Sequence, residues 1–184
     1  MPVSSKLNAT LRAFIERQPL FFVATAARDG RVNVSPKGLD SLRILGDRWI
    51  VWLNLSGSGN ETAAHLRDTP RMTLMFAAFE DAPLILRVYG QARVVHARDE
   101  AWCEHVERFP EMAGSRQIFD LTIDLVQTSC GTGVPLMRFA RQRGPQELLP
   151  FYEAMGADGV RDYWRRKNLT SIDGRPTDLF GADE

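Results

Sequence analysis

The sequence predicts a single, mainly β domain with peripheral helices, built as an antiparallel barrel or sandwich. Three observations carry that expectation. Six or seven short apolar runs with strand character follow one another closely. Turn residues of hairpin type separate them. Helix-like periodicity is confined to the ends and to two short connections. At 184 residues the chain can bury one full core, with room for added helices rather than a second domain.

In chain order, Leu7, Leu11, Phe14 and Ile15 fall at helical spacing, so residues from about 5 to 17 read as an amphipathic helix capped by Ser4 or Ser5 and ended by Pro19. Leu20 to Ala26 is an apolar strand, and Arg28-Asp-Gly-Arg31 turns it into a partner beginning at Val32. Pro36 should interrupt that partner, because proline has no N–H for a ladder bond. Leu42 to Leu45 and Trp49 to Leu55 form the next hairpin, and a glycine-serine loop leads to a short helix ending near Arg67. Arg71 to Phe76 and Leu84 to Val95 read as two further strands, with Gly90 marking a bulge or a close backbone contact in the second. A helix from about Asp99 to Arg108 precedes Phe119 to Leu125, whose alternation suits a half-buried strand. Helical stretches from about Gln146 to Met155 and Asp158 to Asn168 follow, then a turn at Ile172 to Pro176 and a frayed acidic tail from Asp178. The expected organisation is one domain, 1–184, with a barrel core at about 20–127 and a helical C-terminal extension at about 136–176.

Charge excludes some functions. Lys plus Arg and Asp plus Glu each total 23, a balance unlike that of a nucleic-acid or anionic-membrane binder. The most basic run, Arg161 to Lys167, reads as a solvated helix face. Two cysteines, Cys103 and Cys130, are too few for a disulfide scaffold and lack metal-site spacing, so no metal is expected. The N-terminus has no basic segment followed by an apolar core, and no apolar run approaches a membrane span. A reduced, cytoplasmic protein is the expectation.

Chemistry concentrates in Asn54-Leu-Ser-Gly-Ser-Gly-Asn-Glu-Thr62, between a strand and a helix start. Small residues let N–H groups converge, and the helix start favours an anion such as a phosphate. Ser58-Gly-Asn-Glu61 also matches a capping box, which needs no ligand. No Lys-Ser/Thr follows as in a P-loop. A second motif, Ser35-Pro-Lys-Gly38, is either an ordinary bend or a distorted strand that offers Lys37 to a planar ligand. A third, Ser129 to Pro135, holds Cys130 among small residues, where a buried, inert thiol is expected. The four tryptophans read as core or interface residues.

Taken together, Val23-Ala-Thr-Ala26, Asn33 to Gly38, Trp52 to Thr62, Leu66 to Leu74 and Gly90 to Val94 resemble the FMN-binding split barrels related to pyridoxamine 5′-phosphate oxidase. Ser56 to Thr62 and Ser129 to Pro135 resemble an uncharacterised branch of that family. The resemblance implies an antiparallel six-stranded split β-barrel that forms a homodimer, with FMN at the subunit interface and a small-molecule substrate. It places Ser35, Pro36 and Lys37 along the isoalloxazine ring, Leu53 and Asn54 beside it, and Ser58, Asn60 and Thr62 at the phosphate. The catalytic residues stay unassigned. Oxidase members carry Arg-Lys where this chain has Glu61-Thr62, which removes two positive charges. An FMN-dependent oxidoreductase is the leading expectation. An F420-dependent reductase and a non-enzymatic flavin or haem carrier on the same scaffold are the alternatives.

Overall fold

The computed structural model describes residues 2–181. It opens with β1 (Val3–Ser4) and α1 (Ala9–Arg17). Asn8, rather than a serine, caps α1: its Oδ1 accepts the Leu11 amide at 2.9 Å and so satisfies an orphan helix donor. Phe14 and Ile15, on the inner side of α1, are buried. The chain continues as β2 (Phe21–Thr25), β3 (Asn33–Lys37), β4 (Leu42–Gly46), β5 (Trp49–Leu55), α2 (Glu61–Asp68), β6 (Arg71–Ala77), β7 (Ile85–His96), α3 (Ala101–Val106), β8 (Ser115–Ser129) and α4 (Leu148–Lys167).

All strands are antiparallel and lie in the order β3-β2-β6-β7-β8-β5-β4, with β1 added to β8. This sheet has eight strands rather than six. Seven of them form the path, and the eighth, β1, is added on the long β8, which along its 15 residues pairs with β1, β5 and β7. Pro36 does not interrupt β3. It pairs opposite Phe22, and β3 tolerates it because β3 is an edge strand whose other side needs no donor. At Gly90 the register between β7 and β8 shifts. A Cβ there would lie 2.0 Å from the Thr122 carbonyl oxygen, so the bulge and the close approach occur at one residue.

Phe21 on β2 contacts Trp52 on β5 edge-on at 6.0 Å, although the two strands are not neighbours in the sheet. The sheet therefore curls until its halves meet. Phe21 also stacks on Phe76 at 5.8 Å, and Trp52 on Phe119 at 4.4 Å. Each such fully buried side chain contributes about 1.5–3 kcal/mol by leaving water. A second cluster, with Val51, Leu53, Val95 and Ile118, lies under Phe109 and Met112.

Sequence periodicity marks only Phe119 to Leu125 of β8. The strand begins at Ser115. Asp120 is buried because it accepts from Trp49 Nε1 at 2.6 Å and from Arg93 at 2.8 and 2.9 Å. The acidic tail is also not frayed as far as it is described: Asp178 pairs with Arg67 and Arg98, each at 3.0 Å, and Leu179 is buried. Residues 182–184 lie outside the described residues. The two expected C-terminal helices are one element broken at Gly156, where φ is +68° and ψ 171°. Among the described residues no helix is long and apolar enough to cross a membrane.

Candidate functional site

The glycine-serine loop leaves β5 just where the β5–β8 register shifts, between Asn54 and Leu55. From there the rest of the chain holds it at nearly every residue. The Ser56 amide and hydroxyl both donate to the Gly114 carbonyl, at 2.8 and 2.7 Å. Trp164 Nε1 donates to Ser56 Oγ at 2.6 Å. Asn168 Nδ2 donates to the Gly57 carbonyl at 2.9 Å, and Arg116 to the Gly59 carbonyl at 3.1 Å. Asn60 and Gln117 exchange amide bonds, the shorter at 2.6 Å.

No capping box forms. Helix α2 begins at Glu61, so Glu61 stands at the first helical position, and the Asn60 side chain gives no cap. The Glu61 carboxylate instead accepts the Ile172 amide at 3.0 Å. The helix start is thus left without a side-chain cap, the arrangement that suits an anion.

Against this loop lies a cavity of about 310 Å³, bordered by Asn33, Ser35, Lys37, Asn54, Ser58, Asn60, Thr62 and Arg116, with Glu61 its one acidic residue. Arg116 is 4% exposed, and its Nε has no partner. Burial draws its pKa down to about 10, against the opposing influence of Tyr152 and Tyr163. Lys37 is drawn down to about 8, first by burial and then by the charge of Arg116. Two desolvated cations therefore share one small polar space. Asn33 Nδ2 donates to Thr25 and Thr62 hydroxyls at 3.3 and 3.2 Å, and Thr25 Oγ1 lies 3.1 Å from His65 Nδ1. Thr62 Oγ1 accepts in the bond from Asn33, so its hydroxyl proton is left to donate elsewhere.

A larger groove of about 810 Å³ adjoins this cavity, and the two share Lys37 and Asn54. Pro36, Leu53 and Leu55 line its barrel side, and Phe139, Arg143 and Phe151 from the C-terminal extension line the other. The Lys37 ammonium also lies 5.6 Å from the Trp52 ring centre.

The structure brings all eight sequence-derived candidates to these two spaces. Pro36 and Leu53 border the groove, Ser35, Ser58, Asn60 and Thr62 the inner cavity, and Lys37 and Asn54 both. Sequence reasoning missed Arg116, Gln117, Trp164 and Asn168. Arg116 and Gln117 precede the alternating part of β8 and look like turn residues. Trp164 sits within Arg161 to Lys167, a run with the charge pattern of a solvated helix face. Cys130 corrects another expectation: it is exposed, and hydrogen bonds from Thr132 lower its pKa. Its loop borders neither space.

The fold and site define an antiparallel split barrel with a basic, anion-sized cavity opening into an apolar groove. The family model described as pyridoxamine 5′-phosphate oxidase matches residues 7–130. The pyridoxamine 5′-phosphate oxidase family protein ustO of Aspergillus flavus is 34% identical over 193 residues, covering 96% of this chain and 78% of the relative. The chain belongs to the pyridoxamine 5′-phosphate oxidase family. Among solved structures it is similar to HupZ of Group A Streptococcus, with a TM-score of 0.53 and 18% identity over 72% of this chain and 99% of that one. A Lactobacillus delbrueckii protein provisionally described as a pyridoxamine 5′-phosphate oxidase gives 0.53 and 20%, over 67% of this chain and 95% of that one. At such identities the likeness shows the fold alone.

Proposed function

We propose that this protein is an FMN-binding oxidoreductase whose flavin phosphate sits against Arg116 and Lys37. The observation that carries the reading is the buried Arg116 guanidinium, with an unpartnered Nε, at the wall of a polar cavity next to an uncapped helix start. Leaving a charged donor unsatisfied is costly, and a phosphate would satisfy it. The chemistry of the residues fits the group. Ser58 and Thr62 have hydroxyls to donate, whereas the Asn60 side chain is already committed to Gln117. Arg116 and Lys37 supply the positive charge that Glu61-Thr62 lacks relative to Arg-Lys, and Glu61 is held by Ile172.

When bound, the flavin supplies the redox chemistry, so the protein's part is to bind, orient and exclude water. Pro36 and Leu53 would give the ring an apolar wall. Lys37, at the junction of cavity and groove, would place charge near a ring oxygen. Among the described residues neither space is bordered by a histidine, a lining that favours flavin over a histidine-ligated haem. A second copy of the chain would close the groove, as in a homodimer; light scattering of the purified protein tests this.

The decisive test is to record the visible spectrum of the purified protein, identify any released chromophore by mass, and titrate FMN. Flavin absorbance, or saturable binding of added FMN, is expected. A colourless protein that fails to bind FMN sinks the reading. Lys37→Ala should weaken binding or shift the flavin potential, and an unchanged spectrum, affinity and potential would remove Lys37 from the site.

A further inference from the structure

The outer groove is larger than the inner cavity and differs from it in chemistry. Its walls are mainly apolar, and two of them are aromatic rings left open to solvent: Phe139 is 47% exposed and Phe151 53%. Exposed large apolar side chains gathered around one concavity mark a binding surface. Both belong to the C-terminal extension, beyond residues 7–130 matched by the family model.

Polar groups along the same wall are mostly committed. Arg141 is tied to Gln146 and lies 3.6 Å from the Glu147 carboxylate. Gln142 donates to the Pro19 carbonyl at 2.7 Å. The Arg143 side chain has no hydrogen bond or ion pair among the described residues, yet its backbone is fixed, its carbonyl accepting the amides of Gln146 and Glu147 at 3.1 and 3.0 Å. A guanidinium on an anchored stem at the rim of an apolar slot is suited to one planar anion.

We infer that this groove takes the substrate, and that the substrate is an apolar, ring-bearing carboxylic acid: its body lies against Phe139 and Phe151 and its carboxylate meets Arg143. A single charge is favoured over a phosphate dianion because, with Lys37 assigned to the flavin, Arg143 is among the described residues the one uncommitted cation on this wall, and Glu147 borders the same space. Assigning the groove to substrate rests on the flavin reading, which places the cofactor's phosphate in the inner cavity. The ligand preference can be measured apart from it.

The test uses calorimetry on the full-length protein, with and without saturating FMN, and three probes of one shape: 2-naphthoate, 2-naphthyl phosphate and 2-naphthalenemethanol. Naphthoate should bind about tenfold more tightly than the alcohol, as expected of one charge-assisted pair, and more tightly than the phosphate. Arg143→Gln should bring naphthoate and alcohol within about twofold while leaving FMN affinity unchanged. Phe151→Ala should weaken all three probes. An alcohol as tight as the acid, a phosphate tighter than the carboxylate, or a preference that survives Arg143→Gln would overturn the inference. So would loss of FMN affinity in Arg143→Gln. Failure of the wild type to bind FMN with the carboxylate preference intact would overturn the flavin reading, and with it the groove's assignment to substrate, while the preference for an apolar carboxylic acid would stand.

Discussion

Trp164 Nε1 donates to Ser56 Oγ at 2.6 Å across 108 residues of sequence. With Asn168 on Gly57 and Ile172 on Glu61, this bond makes the C-terminal extension the fastening of the central loop. Trp164→Phe removes the donor and keeps most of the volume. It should lower unfolding free energy by about 1 kcal/mol. A double-mutant cycle with Ser56→Ala in chemical denaturation should show coupling of about 0.5–1.5 kcal/mol; strict additivity would mean the bond contributes nothing.

Arg116 separates binding from stability. Arg116→Met removes a buried charge whose desolvation is unfavourable, along with one bond to Gly59. The unliganded protein should change by less than about 1 kcal/mol, whereas FMN affinity, measured by fluorescence titration, should fall at least about tenfold. A stability loss as large as the affinity loss would make Arg116 a structural prop.

Lys37 gives binding a pH dependence. Its pKa in the fold, about 8 against 10.5 unperturbed, means that between these values the unfolded chain holds a proton that the fold does not. Stability therefore rises with pH across that window. Lys37→Met should abolish that rise and raise stability below pH 8, as thermal melts would reveal. Anion affinity should run the opposite way, falling above about pH 8 as the ammonium is lost. A wild-type FMN affinity flat from pH 7 to about 10 would contradict the assignment.

Glycines in this chain divide sharply. Gly90→Ala would push a methyl against the Thr122 carbonyl, an immovable backbone partner, and should cost about 3 kcal/mol or more or prevent folding. Gly57→Ala meets nothing within 4 Å and should stay within about 0.5 kcal/mol. Soluble yield and denaturation midpoints distinguish them. Equal effects would mean that the close approach in the bulge is not what selects Gly90.

Local signals carried much of this molecule. Asp29-Gly30 announced a hairpin and Gly90 a bulge, because each meets a backbone demand set within a few residues. Pro36 misled, since whether a strand lies at an edge depends on which strands pair and not on its own residues. Arg116 was invisible for a similar reason. Only the closed sheet takes it out of water and aims it at a loop 57 residues earlier. The Ser58–Glu61 box does not form because the helix begins at Glu61 and the Glu61 carboxylate accepts from Ile172, a partner 111 residues on that periodicity cannot reveal.

Gly156 gives the extension a division of labour. Its φ and ψ lie where only glycine is at ease, and a Cβ there would meet no neighbour, so the requirement is one of backbone alone. Before the break, Leu148 and Phe151 face the groove; after it, Trp164 and Asn168 hold the loop. A straight helix would hold both ends to one axis. Broken at this point, the extension can set one half against the groove and the other against the loop at different angles, while Tyr152 and Tyr163 keep the halves together with ring centres 6.1 Å apart.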